Sequence, residues 1–153
     1  AVNALGIRDI IVCGHTRCGA MQALINPAGL DRLPRVRHWL SHAEATRQII
    51  LSQYEKLNLD PENLWKATVE ENVLVQIENL RTHPSVAAAL AGGQVKLHGW
   101  VYKIETGEIF NYVPSRGQFV NIADQSEEAN GNCIPHRIAN LTDMSSVLNH
   151  HCA

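Results

Sequence analysis

The chain has 153 residues, enough for one domain with a sizeable core. With 45% hydrophobic residues, 18% charged residues and a net charge of −2, its composition is ordinary for a globular protein and marks no nucleic-acid surface. No apolar run approaches a membrane span, and four cysteines in a chain this long do not make a disulfide framework, so a reducing, cytoplasmic setting is expected.

Taken in order, Ala1 to Gly6 reads as the last turns of a helix ended by Gly6. A chain rarely starts inside a helix, so an amino-terminal part is expected upstream. Ile10-Ile11-Val12 is a short β-branched run, as in a buried parallel strand. Gly14 frees the backbone to turn, His15 and Cys18 follow three apart, and Gly19 to Leu24 begins a helix that ends near Asn26-Pro27. A long helix is predicted from about Pro34 to Leu57, with Val36, Trp39, Leu40, Ala43, Ile50, Leu51 and Tyr54 near helical spacing. Asp60-Pro61 supplies an N-cap and a first-turn proline for the next helix. Its buried face is predicted as Leu64, Ala67, Val73, Leu74, Ile77 and Leu80, with Glu62, Glu70 and Glu71 on a solvated face.

His83-Pro84 stops that helix, and a short alanine-rich helix ends at Gly92-Gly93. Val95 to Ile104 reads as a strand, Thr106-Gly107 as a turn and Ile109 to Val113 as the returning strand. The fold class is therefore α/β, a central sheet flanked by helices and closed by a carboxyl-terminal hairpin. Two or three strands are too few to cover these helices, so further sheet is expected. Two segments follow: residues 1–120 as the folded part, and 121–153 as a polar tail without aromatic residues, largely disordered or weakly helical. Ile138, Leu141, Met144, Val147 and Leu148 fit one short amphipathic helix there, either a solvated tail or a docking segment.

The chemistry centres on Cys13-Gly14-His15-Thr16-Arg17-Cys18-Gly19. A strand ending in a turn that feeds a helix puts His15 and Cys18 at the carboxyl end of a sheet, where open α/β sheets place their sites. The helix amino terminus favours negative charge, which suits a thiolate, and a thiolate beside a neutral imidazole is half of a zinc site. The plain reading of such residues is packing. A competing ligand set adds Cys13, which shares a strand face with His15, to give Cys13, His15 and Cys18. Cys133 and Cys152 in the tail are weaker candidates, as is a metal-scavenging His150-His151-Cys152. A thiol-redox pair of Cys13 and Cys18 lacks the usual Cys-x-x-Cys spacing. His98 reads as a core or interface histidine, Trp39, Trp65 and Trp100 as packing or subunit contacts, and Arg17 as a residue at the mouth of the site.

Cys-Gly-His-Thr-Arg-Cys-Gly-Ala after Ile-Ile-Val resembles the second zinc motif of the β-class carbonic anhydrases. The resemblance continues through Trp39-Leu40, Glu71-Asn72-Val73 and Leu97-His98-Gly99-Trp100-Val101-Tyr102-Lys103-Ile104-Glu105-Thr106-Gly107, and so covers about residues 1–113. It implies a mostly parallel central sheet and a zinc-dependent, reversible hydration of carbon dioxide to bicarbonate. In the family zinc is held by two cysteines and one histidine, and His15 and Cys18 match two of these three. The third belongs to a Cys-x-Asp-x-Arg motif, whose Asp gates the fourth zinc position and whose Arg holds that Asp. That motif occurs nowhere in this sequence, so the third ligand is expected upstream and catalytic residues beyond the ligands are not assigned here. The alternative is a non-catalytic relative or assembly subunit of the same fold.

The resemblance also implies a homodimer or higher homo-oligomer. The strand Lys96 to Ile104 is apolar on both faces, and an open edge on its hairpin invites a second copy. His42 to Arg47 and the polar tail look most like the carboxysomal branch, which implies a location in that compartment with the tail docking to a scaffold.

Overall fold

A computed structural model describes residues 2–127. Four strands form one sheet in the order β1-β2-β3-β4: β1 (Asp9–His15), β2 (Lys96–Lys103), β3 (Glu108–Val113) and β4 (Gln118–Asn121). β1 and β2 are parallel, with Ile11 beside His98, Cys13 beside Trp100 and His15 beside Tyr102. The remaining pairs, β2 with β3 and β3 with β4, are antiparallel. The reason is connection length: short turns join β2 to β3 and β3 to β4, whereas β1 reaches β2 through a long helical crossover. Gly107 and Gly117 take φ of +76° and +64° in those two turns. The α/β class therefore holds, with a mixed sheet among the described residues. β4 is not foreseen by the sequence reading. Its single aromatic, Phe119, packs on Tyr112 with ring centroids 5.3 Å apart.

The crossover contains α2 (Gly19–Ile25), α3 (Pro34–Leu40), α4 (Glu44–Ile49), α5 (Pro61–Thr82) and α6 (Pro84–Ala91); α1 (Val2–Leu5) precedes β1 and ends at Gly6, φ +61°. α5 starts as expected: the Asp60 carboxylate accepts from the amides of Glu62 and Asn63 at 3.0 Å each. It lies across β1 and β2 because two strand residues facing it are glycines. A Cβ on Gly14 would stand 2.8 Å from Val73 Cγ2, and one on Gly99 would stand 2.8 Å from Ile77 Cδ1. The core joins Val69, Val73 and Ile77 of α5 with Met21, Leu24, Leu30, Leu40, Ala43 and Val101.

Several expectations change. The buried stripe of α5 is Val69, Val73 and Ile77 with Thr68, while Leu64, Ala67, Leu74 and Leu80 are half-buried. Thr68 tolerates full burial because its hydroxyl donates to the Leu64 carbonyl at 2.7 Å. Glu70 and Glu71 are half-buried rather than solvated, and the Tyr54 hydroxyl donates to Glu71 at 3.2 Å. Burial pushes both carboxyls above their ordinary value.

The single helix predicted over 34–57 is broken. A 3-10 turn, Ser41–Ala43, separates α3 from α4, and a π turn, Ile50–Tyr54, follows α4. Ser41 Oγ donates to the His38 carbonyl at 2.6 Å, a local bond of the kind that bends helices, and Ala43 leaves helical dihedrals at φ −100°, ψ 16°. The open edge expected on the β2–β3 hairpin is taken by β4, which pairs with β3; β1 and β4 are the outer strands of the described sheet. β1 is half-buried on one face and exposed on the other, with Ile11 45% exposed. The amphipathic helix expected in the tail, Cys133 and His150-His151-Cys152 lie outside the described residues.

Candidate metal centre

His15 closes β1, and Cys18 is the N-cap of α2 with extended dihedrals, φ −68° and ψ 110°. The two residues between them make the turn, and Arg17 takes a left-handed φ of +54°. The His15 side chain is exposed beside Tyr102, and Cys18 is half-buried against the core. His15 Nδ1 lies 2.9 Å from the Thr16 carbonyl oxygen. A carbonyl only accepts, so in the neutral imidazole Nδ1 carries the proton and Nε2 keeps its lone pair. The Cys18 carbonyl accepts from the Gln22 amide at 3.0 Å and from the Trp65 indole Nε1 at 2.8 Å. Both candidate ligands are thus held through neighbouring backbone.

The turn is also tied to the β2–β3 hairpin. The Thr16 amide donates to the Tyr102 carbonyl at 2.9 Å, which extends the β1–β2 ladder by one residue. The Thr16 hydroxyl accepts from the Ile104 amide at 3.0 Å and donates to Glu105 Oε2 at 2.6 Å. Glu105 Oε1 pairs with Arg17 Nε at 2.6 Å. The Thr16 hydroxyl first, then the residue's own backbone amide, with a smaller contribution from the Arg17 guanidinium, hold the Glu105 carboxyl below its ordinary value.

Among the described residues, no three or more His, Cys, Asp or Glu side chains converge as a metal site. Cys13 shares the exposed face of β1 with His15, as strand periodicity requires, but it is not gathered with His15 and Cys18 into a three-ligand set. Its thiol instead donates to the Gly14 carbonyl at 3.3 Å, and Cys13 and Cys18 are both free thiols. Arg17 turns to Glu105 rather than standing free. His98 is neither buried nor free: its Nε2 lies 2.8 Å from Asp9 Oδ1. Trp39 is 73% exposed, with its ring edge against His42. The sequence reading missed Glu105 and the Trp65 contact. Glu105 lies in the hairpin segment singled out above, and parallel pairing of β1 with β2 is the signal that would have brought it to the turn.

An imidazole nitrogen with a free lone pair and a thiol at the end of a parallel strand suit a borderline-soft cation such as zinc. Two such donors are fewer than the three protein ligands a catalytic zinc uses. A carbonic anhydrase family model matches residues 1–109 of the chain. The carbonic anhydrase of Pseudomonas aeruginosa is 47% identical over 130 residues, covering 83% of this chain and 56% of that protein. The carbonic anhydrase of Synechocystis sp. is 46% identical over 113 residues, covering 73% of this chain and 40% of that protein. The solved structure of the β-carbonic anhydrase CcaA is similar with a TM-score of 0.75 at 44% identity, covering 79% of this chain and 58% of that one. The chain spans about half the length of the curated relatives it matches. The family match runs from the first helix through β1, its turn and the crossover helices to the start of β3, and the chain belongs to the β-carbonic anhydrase family.

Proposed function

We propose that this chain supplies the His15 and Cys18 half of a zinc centre that hydrates carbon dioxide reversibly to bicarbonate and a proton. The observation that carries this reading is the turn itself: Nδ1 of His15 is occupied by the Thr16 carbonyl, so Nε2 is the nitrogen presented for a metal. Zinc, when bound, brings the pKa of a water molecule to about 7 and so supplies a nucleophile at neutral pH. Every other task belongs to the protein. Cys18 brings a thiolate from a half-buried position, and Trp65 and Gln22 hold the backbone that carries it. His15 brings a neutral donor at the exposed face. A catalytic zinc uses three protein ligands and one open position. The third ligand is expected from outside these residues, as in the family motif this sequence lacks.

Zinc content by elemental analysis and stopped-flow hydration of carbon dioxide test the reading in the complete protein. His15→Ala and Cys18→Ser each abolish stoichiometric zinc and turnover, and Cys13→Ser retains both. Loss of zinc in Cys13→Ser with retention in Cys18→Ser overturns the ligand assignment. Zinc retained without turnover in the unsubstituted protein marks a non-catalytic relative. The isolated 153-residue chain, with two of three ligands, is a poor hydratase even with zinc added.

A further inference from the structure

Glu105 is 89 residues from Thr16 in sequence, yet it accepts from the hydroxyl of Thr16 and pairs with Arg17. Those two residues are the whole link between His15 and Cys18. Both contacts are 2.6 Å, and each uses a different carboxylate oxygen. The Thr16 hydroxyl is fully engaged, accepting from the Ile104 amide while donating to Glu105. Arg17 is one of two non-glycine residues at positive φ among the described residues, the other being Asn58. An L-residue with a Cβ is held in the left-handed region against its own preference, and such a conformation persists only where the surroundings determine it. Glu105 is the side chain that grips Arg17. The Arg17 side chain is 65% exposed and that of Glu105 31%, and a solvent-screened pair of this kind adds little to global stability. What it fixes is local.

We infer that Glu105 is a positioning residue for the metal centre: it clamps the Thr16–Arg17 link, holds Arg17 in its left-handed conformation, and so sets how His15 and Cys18 face a common ion. This inference rests on the zinc reading above. Glu105 touches neither ligand and acts through the turn. The hairpin that bears it is therefore part of the site.

The test uses the complete protein and reads zinc affinity by chelator competition, the visible absorption of the cobalt-substituted protein, and the thermal midpoint of the metal-free protein. Glu105→Ala weakens zinc roughly 10- to 100-fold, the usual effect of losing a partner that orients a metal ligand. It shifts the cobalt bands and leaves the metal-free midpoint nearly unchanged. Glu105→Gln, which keeps one accepting oxygen, falls between. Arg17→Gly in the Glu105→Ala background recovers a large part of the lost affinity, because glycine adopts positive φ without a clamp. Zinc affinity within twofold of the parent for Glu105→Ala, with unchanged cobalt bands, overturns the inference. So does an Arg17→Gly, Glu105→Ala double variant as weak as Glu105→Ala alone. Zinc retained by His15→Ala overturns the underlying zinc reading instead, which keeps the two failures distinct.

Discussion

Trp65 and Cys18, 47 residues apart in sequence, meet through a 2.8 Å hydrogen bond from the indole nitrogen to the carbonyl oxygen. The bond joins the first turns of α5 to the N-cap of α2, so the helix that covers the sheet also holds the backbone of a candidate ligand. Trp65→Phe keeps most of the ring and removes the donor. The Cys18 carbonyl keeps its bond from the Gln22 amide, so no acceptor is orphaned. The expected loss is about 1 kcal/mol in a urea titration, the net worth of an ordinary hydrogen bond. A loss several times larger would show that the indole is chiefly a packing element.

Val73 sits where two glycine-bearing strands meet one helix. Its Cγ2 lies 2.8 Å from a Cβ built on Gly14, and its Cγ1 lies 3.1 Å from one built on Gly99. Gly14→Ala is therefore expected to cost about 1–3 kcal/mol through overpacking. Val73→Ala opens a cavity and destabilises by itself. Combined, the two substitutions relieve each other, so the double variant is more stable than the sum of the single losses predicts. Additivity in that cycle would mean that α5 simply shifts away from β1.

These two contacts separate what the residues show in one dimension from what they do not. Hydrophobic runs, the Asp60-Pro61 start and the glycine-bounded turns mark β1, α2, α5 and the hairpin, because each is a local signal. The site is half legible for the same reason: His15 and Cys18 lie three apart on one turn. Trp65 and Glu105 reach that turn only through helix docking and strand register, which no local spacing encodes. The break at Ser41–Ala43 was hidden by an apolar pattern that runs on through it, since a 3-10 turn preserves approximate helical spacing. β4 escaped because four residues with one aromatic make a weak period-2 signal.

Glu71 gives a pH dependence with a definite sign. Burial raises its carboxyl above the ordinary value of 4.5, although the Tyr54 hydroxyl pulls the other way. A raised folded-state value means that this group favours folding fully below its unfolded value, and that the contribution is lost as pH rises through the folded value. Above the folded value the carboxylate is thus held charged in a poorly solvated place. Glu71→Gln removes the charge and keeps an acceptor for Tyr54. It is expected to be more stable than the parent at pH 7, by up to about 1 kcal/mol, and to lose that advantage below about pH 4. Denaturant titrations at the two pH values read this directly. A Gln variant less stable than the parent at pH 7 would show that the Tyr54 bond needs the charge.

Val101 and Ile11 separate folding from association. Val101 on β2 is 4% exposed and belongs to the core, while Ile11 on the outer strand β1 is 45% exposed. With Tyr102 at 40% and Ile104 at 53%, several apolar side chains remain open to solvent on and beside these two strands. Apolar surface beside an outer strand invites another chain, and a two-fold pairing covers the same patch on both copies. The chain is therefore expected to self-associate at micromolar concentration. Val101→Glu buries an unpaired charge and is expected to abolish cooperative folding. Ile11→Glu places its charge in water, so the fold and the melting midpoint survive while the mass by light scattering falls toward the monomer. An unsubstituted chain that already scatters as a monomer at that concentration would refute the association. An Ile11→Glu variant that keeps the parent's mass would move the contact to another face.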